Sequence, residues 1–243
     1  MGERLSNQPR PRTGGQKPCK KLLNALLPQD CQLCGAMDAG DLLCASCLAD
    51  LPRLPAQHCP VCALPTPGAT LCGECLRHQP HFDATLAPFA YAFPLDQLVH
   101  ALKYAHHLAL AGLFARLMHS DAIAGDLIIP LPLSKERLRQ RGFNQAMEVA
   151  RLLSRSTGIP INFLGTTRVT DTVAQASLPW KARRANVRHA FECAIDLDGK
   201  SVIVVDDVMT TGASLDEFAR TLKYHGAARV SNWVLARTLK HES

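Results

Sequence analysis

Eight of the ten cysteines in this 243-residue chain fall into four Cys-x-x-Cys pairs: Cys31 with Cys34, Cys44 with Cys47, Cys59 with Cys62, and Cys72 with Cys75. Cys59 lies 28 positions after Cys31, and the same shift carries every cysteine of the first half onto one of the second, so the segment is an internal duplication of C-x2-C-x9-C-x2-C. The two-residue gap lets a tight turn aim both sulfurs of a pair at one ion, and the nine-residue excursion brings the second pair back. Each half supplies four thiolates, the ligand set of one tetrahedral structural zinc. Cys31, Cys34, Cys44 and Cys47 are expected to hold one Zn2+, and Cys59, Cys62, Cys72 and Cys75 a second; ligation shared across the halves is the alternative. A redox dithiol or a disulfide knot explains four evenly repeated pairs less well. Four thiolates leave no open position for catalysis. So small a segment also lacks the apolar residues to fold without metal. Cys19 and Cys193 stand outside the repeat.

The second chemical string is VIVVDDVMTTGAS, residues 202–214. Its apolar run delivers two adjacent carboxylates, Asp206 and Asp207, to the end of a buried strand. Thr210, Thr211, Gly212, Ala213 and Ser214 then make a small, hydroxyl-rich turn that opens a helix. Two neighbouring ribose hydroxyls are donors that need two close acceptors, which the acid pair provides. A glycine-containing turn at a helix N-terminus, with exposed N–H groups and hydroxyls, suits the 5′-phosphate a few atoms away. A buried strand with a turn that merely caps a helix would account for any one of these residues. Their conjunction points to a phosphoribosyl ligand, and the string resembles the diphosphoribosyl-binding signature of type I phosphoribosyltransferases.

These groups need a frame. From Phe82 onward cysteines almost vanish, and strand-like stretches alternate with helix-like ones. Strands are expected over 84–93, 126–133, 161–169, 201–207 and 228–237, and helices over 95–104, 108–123, 143–156 and 214–226. That order implies an α/β domain with a mostly parallel sheet flanked by helices. The organisation expected is a disordered basic arm (1–18), a cysteine-rich zinc-ribbon module (19–80) and the α/β domain (81–243). The change at Phe82 suggests two independently folding units.

Charge is a weak guide to partners. Residues 1–30 hold Arg4, Arg10, Arg12, Lys17, Lys20 and Lys21 against Glu3 and Asp30, so the arm carries +4 of the formal +6. The remainder is mildly basic and calls for no dedicated nucleic-acid groove. There is no signal-like apolar stretch and no run near the ~20 residues that span a bilayer, which excludes membrane insertion and implies a cytoplasmic protein.

With these motifs placed, the chain resembles the competence protein F family, also called the ComF or GntX family, over roughly residues 20–240. The resemblance rests on the cysteine pairs, HALKY at 100–104, IPLP with RLRQRGFNQA at 129–146, the sparse Thr172, Gln175, Leu178, Arg183, Asn186 and Ala190-Phe191 pattern, and the ribose-phosphate string. It implies a type I phosphoribosyltransferase-like fold behind a double zinc ribbon. It further implies that the loop after IIPLP holds pyrophosphate, with Arg137, Arg139 or Arg141 supplying charge, and that 170–184 is a mobile catalytic loop with Gln175 and Arg183 among its polar residues. Lys103, at the end of an amphipathic helix, is a third catalytic candidate, weighed against a snorkelling surface lysine. The implied activity is binding of 5-phosphoribosyl-1-pyrophosphate with Mg2+ and transfer of its phosphoribosyl group to a nitrogen nucleophile, linked to DNA uptake or nucleotide salvage. The rival is a non-catalytic nucleotide sensor or adaptor whose zinc module binds a protein partner or single-stranded DNA.

Overall fold

The computed structural model describes residues 30–37, 42–120, 122, 124–169 and 187–239. The basic arm and the residues Thr172, Gln175 and Arg183 lie outside them. In chain order the elements are helices α1 (Ala45–Ala49) and α2 (Gly73–Arg77), strands β1 (Ala84–Leu86) and β2 (Phe89–Ala90), helices α3 (Leu95–Tyr104) and α4 (Ala109–Met118), strand β3 (Leu127–Pro130), helices α5 (Lys135–Arg141) and α6 (Gln145–Thr157), strands β4 (Thr166–Arg168), β5 (Phe191–Cys193) and β6 (Ser201–Met209), helix α7 (Ala213–Tyr224) and strand β7 (Arg229–Arg237).

β6 and β7 form the middle of a parallel sheet, with β3 on the outer side of β6 and β1 and β2 on the outer side of β7. Period-two alternation divides the core between the two faces. Ile203 and Val205 of β6, with Trp233 and Leu235 of β7, pack under α3, α4 and α6. Val202 and Val204, with Val230 and Val234, pack under α7 and β5 on the other side. Both faces are therefore covered, as a buried parallel sheet requires.

Three expectations change in detail. The strand expected over 84–93 is split by Pro88, which has no N–H to donate to a ladder and instead accepts from Leu54 N at 3.0 Å. The strand expected over 161–169 is reduced to a bridge of Ile161 with Ile128 and to β4, which pairs antiparallel with β5. The basic string after IIPLP is a helix, α5. Ser134 caps it by accepting from Arg137 N, and Gly142 ends it in the left-handed region at φ 71°.

The ribbon does not stand apart from this domain. Ala90 N donates to Pro52 O at 2.8 Å, and the Arg53 guanidinium lies 4.6 Å above the Phe89 ring. Cys31, Leu43 and Leu51 share one core with Phe89, Leu95 and Trp233. Cys59, Cys62, Cys72 and Cys75 share the other with Met209, Leu215 and Phe218. The two halves of the duplication thus serve opposite faces of one sheet.

Candidate functional site

Each cysteine set closes within its own half. The four sulfurs of Cys31, Cys34, Cys44 and Cys47 lie within 4.8 Å of one another, as do those of Cys59, Cys62, Cys72 and Cys75. Cys44 and Cys72 are the N-caps of α1 and α2, where their sulfurs accept from Cys47 N and Cys75 N at 3.5 Å. That cap turns both sulfurs of each Cys-x-x-Cys pair to the same side. Tetrahedral zinc with Zn–S bonds of about 2.3 Å places its sulfurs about 3.8 Å apart; Cys34 and Cys44 are 3.7 Å apart, and Cys62 and Cys72 are 3.5 Å. Two structural Zn2+ ions fit, and the cross-paired alternative does not. Burial pushes the Cys59 thiol up, but backbone N–H groups of Cys62 and Cys72 outweigh it and bring it down to about 7. Burial and its neighbouring thiols instead push Cys62 up to about 11. Metal binding would draw the remaining protons off.

The acid pair lies near the end of β6. Asp206 is in step with Val202 and Val204, and Asp207 with Ile203 and Val205, so the two carboxylates leave opposite faces of the strand. Asp207 is buried, and its Oδ2 meets Lys103 Nζ at 2.9 Å. α3 brings the lysine there by burying Leu95, Leu98, Val99 and Leu102 against the sheet, which leaves Lys103 on the flank facing β6. Burial favours the neutral amine, but the Asp207 carboxylate outweighs it and raises the Lys103 ammonium above its ordinary value. Asp206 Oδ1 accepts from Asp207 N at 2.9 Å. Burial, then the Asp207 charge, pushes Asp206 up to about 7, against a downward pull from Lys103 and Arg141.

The three arginines of α5 are not equivalent. Arg139 is exposed and Arg137 half-buried. Arg141, in the last turn, lies 5.4 Å above the Tyr104 ring, with Nη2 3.5 Å from its hydroxyl, and its charge reaches Asp206. Tyr104 was not singled out by sequence reasoning, although it ends the HALKY string. Thr166–Arg168 and Phe191–Cys193 pair, so the chain leaves and re-enters the described structure at one place, and Arg168 bridges there to Ser134 at the start of α5.

The turn after β6 leads directly into α7. Gly212 is its N-cap at φ 80°, in the left-handed region where a side chain is strained, and a Cβ there would also have to displace Met209 Cε, 2.6 Å away. Thr211 Oγ1 accepts from Ala213 N at 3.3 Å, which folds the turn over the helix start. No side chain of the cap residue serves the first-turn N–H groups, and an anion can. Thr210 is exposed, and Thr211 and Ser214 are half-buried, so their hydroxyls border the site.

Sequence reasoning also missed Arg237. It ends the apolar strand β7, buried, with Nε donating to Cys62 O at 2.8 Å and Nη1 to Met209 O at 3.0 Å, to Thr238 O at 2.9 Å and to Thr210 O. Burial pulls its guanidinium down, and the thiols of Cys62, Cys72 and Cys75 push it back up. An arginine closing an otherwise apolar strand was the available signal. A cavity of about 240 Å³ lies along this seam, lined by Cys62, Phe82, Met209, Thr211 and Gly212 among others. Nearby, His81 Nδ1 lies 2.9 Å from Asp216 Oδ1, which ties the end of the ribbon to the first turn of α7.

The chain matches the double zinc ribbon domain family over residues 22–76 and the phosphoribosyl transferase domain family over residues 138–242. DNA utilization protein YhgH of Escherichia coli O157:H7 is 36% identical over 158 residues, 61% of this chain and 70% of that protein. Competence protein F of Haemophilus influenzae is 34% identical over 159 residues, 60% of this chain and 69% of that protein. Among solved structures, a glutamine phosphoribosylpyrophosphate amidotransferase from B. subtilis aligns at a TM-score of 0.35 and 21% identity, over 51% of this chain and 25% of that one. No helix among the described residues is long and apolar enough to cross a membrane.

Proposed function

The chain belongs to the competence protein F family, and on that premise we propose that it is a phosphoribosyltransferase-like protein that binds 5-phosphoribosyl-1-pyrophosphate at the end of β6. The observation that carries this reading is the continuous path from a buried strand, through two carboxylates, into a glycine turn capping α7. Asp206 and Asp207 accept from the ribose hydroxyls. The turn from Thr210 to Ser214, Gly212 and Ala213 included, receives the 5′-phosphate. Arg141, whose charge acts on Asp206, is the favoured pyrophosphate ligand of α5, with Arg137 and Arg139 in the preceding turns of the helix. Gln175 and Arg183 remain candidates for closing over the leaving group.

The reaction that fits is displacement at the anomeric carbon. Its bond to pyrophosphate oxygen breaks, pyrophosphate leaves with the electron pair, a bond to nitrogen forms, and that nitrogen gives its proton to solvent. Mg2+ carried by the pyrophosphate would neutralise the leaving group. Before ligand binds, Lys103 holds Asp207 as an ion pair; with Arg141 it would supply positive charge as negative charge grows on the departing group. The same contact favours a second reading, a cytoplasmic nucleotide sensor or adaptor without turnover, since Lys103 already occupies one acceptor. The relatives named for competence and DNA utilization support a link to DNA uptake or to reuse of its nucleotides.

Pyrophosphate release from 5-phosphoribosyl-1-pyrophosphate, measured across nucleobases and ammonia beside calorimetric binding, separates the two. Release with one acceptor supports the transferase, and binding with no release on any acceptor supports the sensor. No binding of the sugar pyrophosphate or of nucleotides would overturn both.

A further inference from the structure

We propose that Arg237 is a positioning residue that uses the second zinc site as its counter-ion to hold the phosphate turn in place. The inference rests on the reading of Thr210 to Ser214 as the phosphate turn. A guanidinium cannot be deprotonated under ordinary conditions, so burying one requires an anion and satisfied donors. Nε and Nη1 of Arg237 donate to backbone carbonyls from three separate segments: Cys62 in the ribbon, Met209 and Thr210 at the start of the turn, and Thr238 after β7. Its strongest electrostatic neighbours are Cys62, Cys72 and Cys75. Four thiolates around one Zn2+ leave an excess of negative charge, so the loaded site supplies the anion that this buried cation needs.

The consequence runs in one direction structurally and in both directions thermodynamically. The fork of Arg237 pins the carbonyls of Met209 and Thr210, and those carbonyls fix the plane of the peptides that lead to Gly212. A loaded second site therefore keeps the turn in its binding geometry, and an occupied turn must, by linkage, tighten the binding of that zinc. Among the described residues, the first zinc site packs in the cluster on the opposite face of the sheet, away from Met209.

The full-length protein is followed by two measurements: zinc release to a chromogenic chelator, and hydrogen exchange of peptides covering 208–216 and, as an internal control, 42–50. In Arg237→Gln one of the two zinc ions should leave at least tenfold faster, and the 208–216 amides should exchange at least tenfold faster, with 42–50 unchanged. Arg237→Lys keeps the charge and loses the fork, so it should hold zinc almost as the wild type does while the turn still exchanges faster. Such a split is not expected of general unfolding. Wild-type zinc release in Arg237→Gln, or a turn that stays protected after the second zinc has gone, overturns the proposal. Both readouts need no ligand. Failure of the wild type to bind 5-phosphoribosyl-1-pyrophosphate would thus count against the reading of the turn alone, while exchange and zinc release still decide the role of Arg237.

Discussion

Lys103 Nζ lies 2.9 Å from Asp207 Oδ2, joining the last turn of α3 to the end of the central strand. Their side chains are only 18% and 9% exposed, so the pair is mostly shielded from water and each charge depends on the other.

Removing either partner should therefore leave the other buried and unpaired. Lys103→Met or Asp207→Asn is expected to lower unfolding stability by about 3 kcal/mol, and the double variant by clearly less than the two losses combined. Denaturant unfolding of all four proteins closes the cycle. Additive losses would mean that the contact is not an energetic unit. Affinity for 5-phosphoribosyl-1-pyrophosphate should fall in Asp207→Asn by the ~1.5–3 kcal/mol of one charged hydrogen bond.

Asp206 makes the opposite prediction. Its folded pKa of about 7 stands above the usual carboxylate value near 4, so the folded state holds the proton more tightly than the unfolded chain. The stability this contributes is complete below about pH 4 and is lost as pH rises through about 7. Asp206→Asn keeps a neutral group at every pH, so it should raise the melting temperature at pH 8 more than at pH 5. An ionised carboxylate accepts from ribose hydroxyls more strongly than a protonated one, so ligand affinity in the wild type should rise through the same window. PH-independent differences in both measurements would remove Asp206 from this role.

Elemental analysis of protein purified without added metal should find two zinc ions per chain, since both sulfur sets are closed within 4.8 Å. One ion per chain would mean that only one set is competent. Intact disulfides with no metal would refute the ribbon assignment.

A chain beginning near residue 80 should be poorly soluble and should lose the ligand. Truncation there uncovers Phe89 and Trp233 on one face and Met209 and Phe218 on the other, and it strips Arg237 of the Cys62 carbonyl. A soluble truncated protein with wild-type affinity for 5-phosphoribosyl-1-pyrophosphate would restore the picture of two independent units.

Much of the site is written in local spacing. The Cys-x-x-Cys spacing and the 28-residue repeat point to one zinc set in each half, and the fold decides against sharing across the halves. The run from Val202 to Ser214 likewise specifies its strand, its acid pair and the start of its helix through neighbours a few positions apart, and the amphipathic period of α3 set its limits at Leu95 and Tyr104. Sequence alone could not rank Arg137, Arg139 and Arg141, because all three read as one basic string. The end of α5 at Gly142 sets Arg141 over the Tyr104 ring, next to Lys103 in sequence, and its charge acts on Asp206. Lys103 and Asp207 come together only because α3 packs on the face of β6 to which Asp207 points. Arg237 meets a carbonyl 175 positions away because the ribbon folds back over the end of β7. Charge pairing across such distances depends on strand order and on which face each helix covers. No window of neighbouring residues contains that information, and burial then makes those few contacts strong by removing the water that would otherwise screen them.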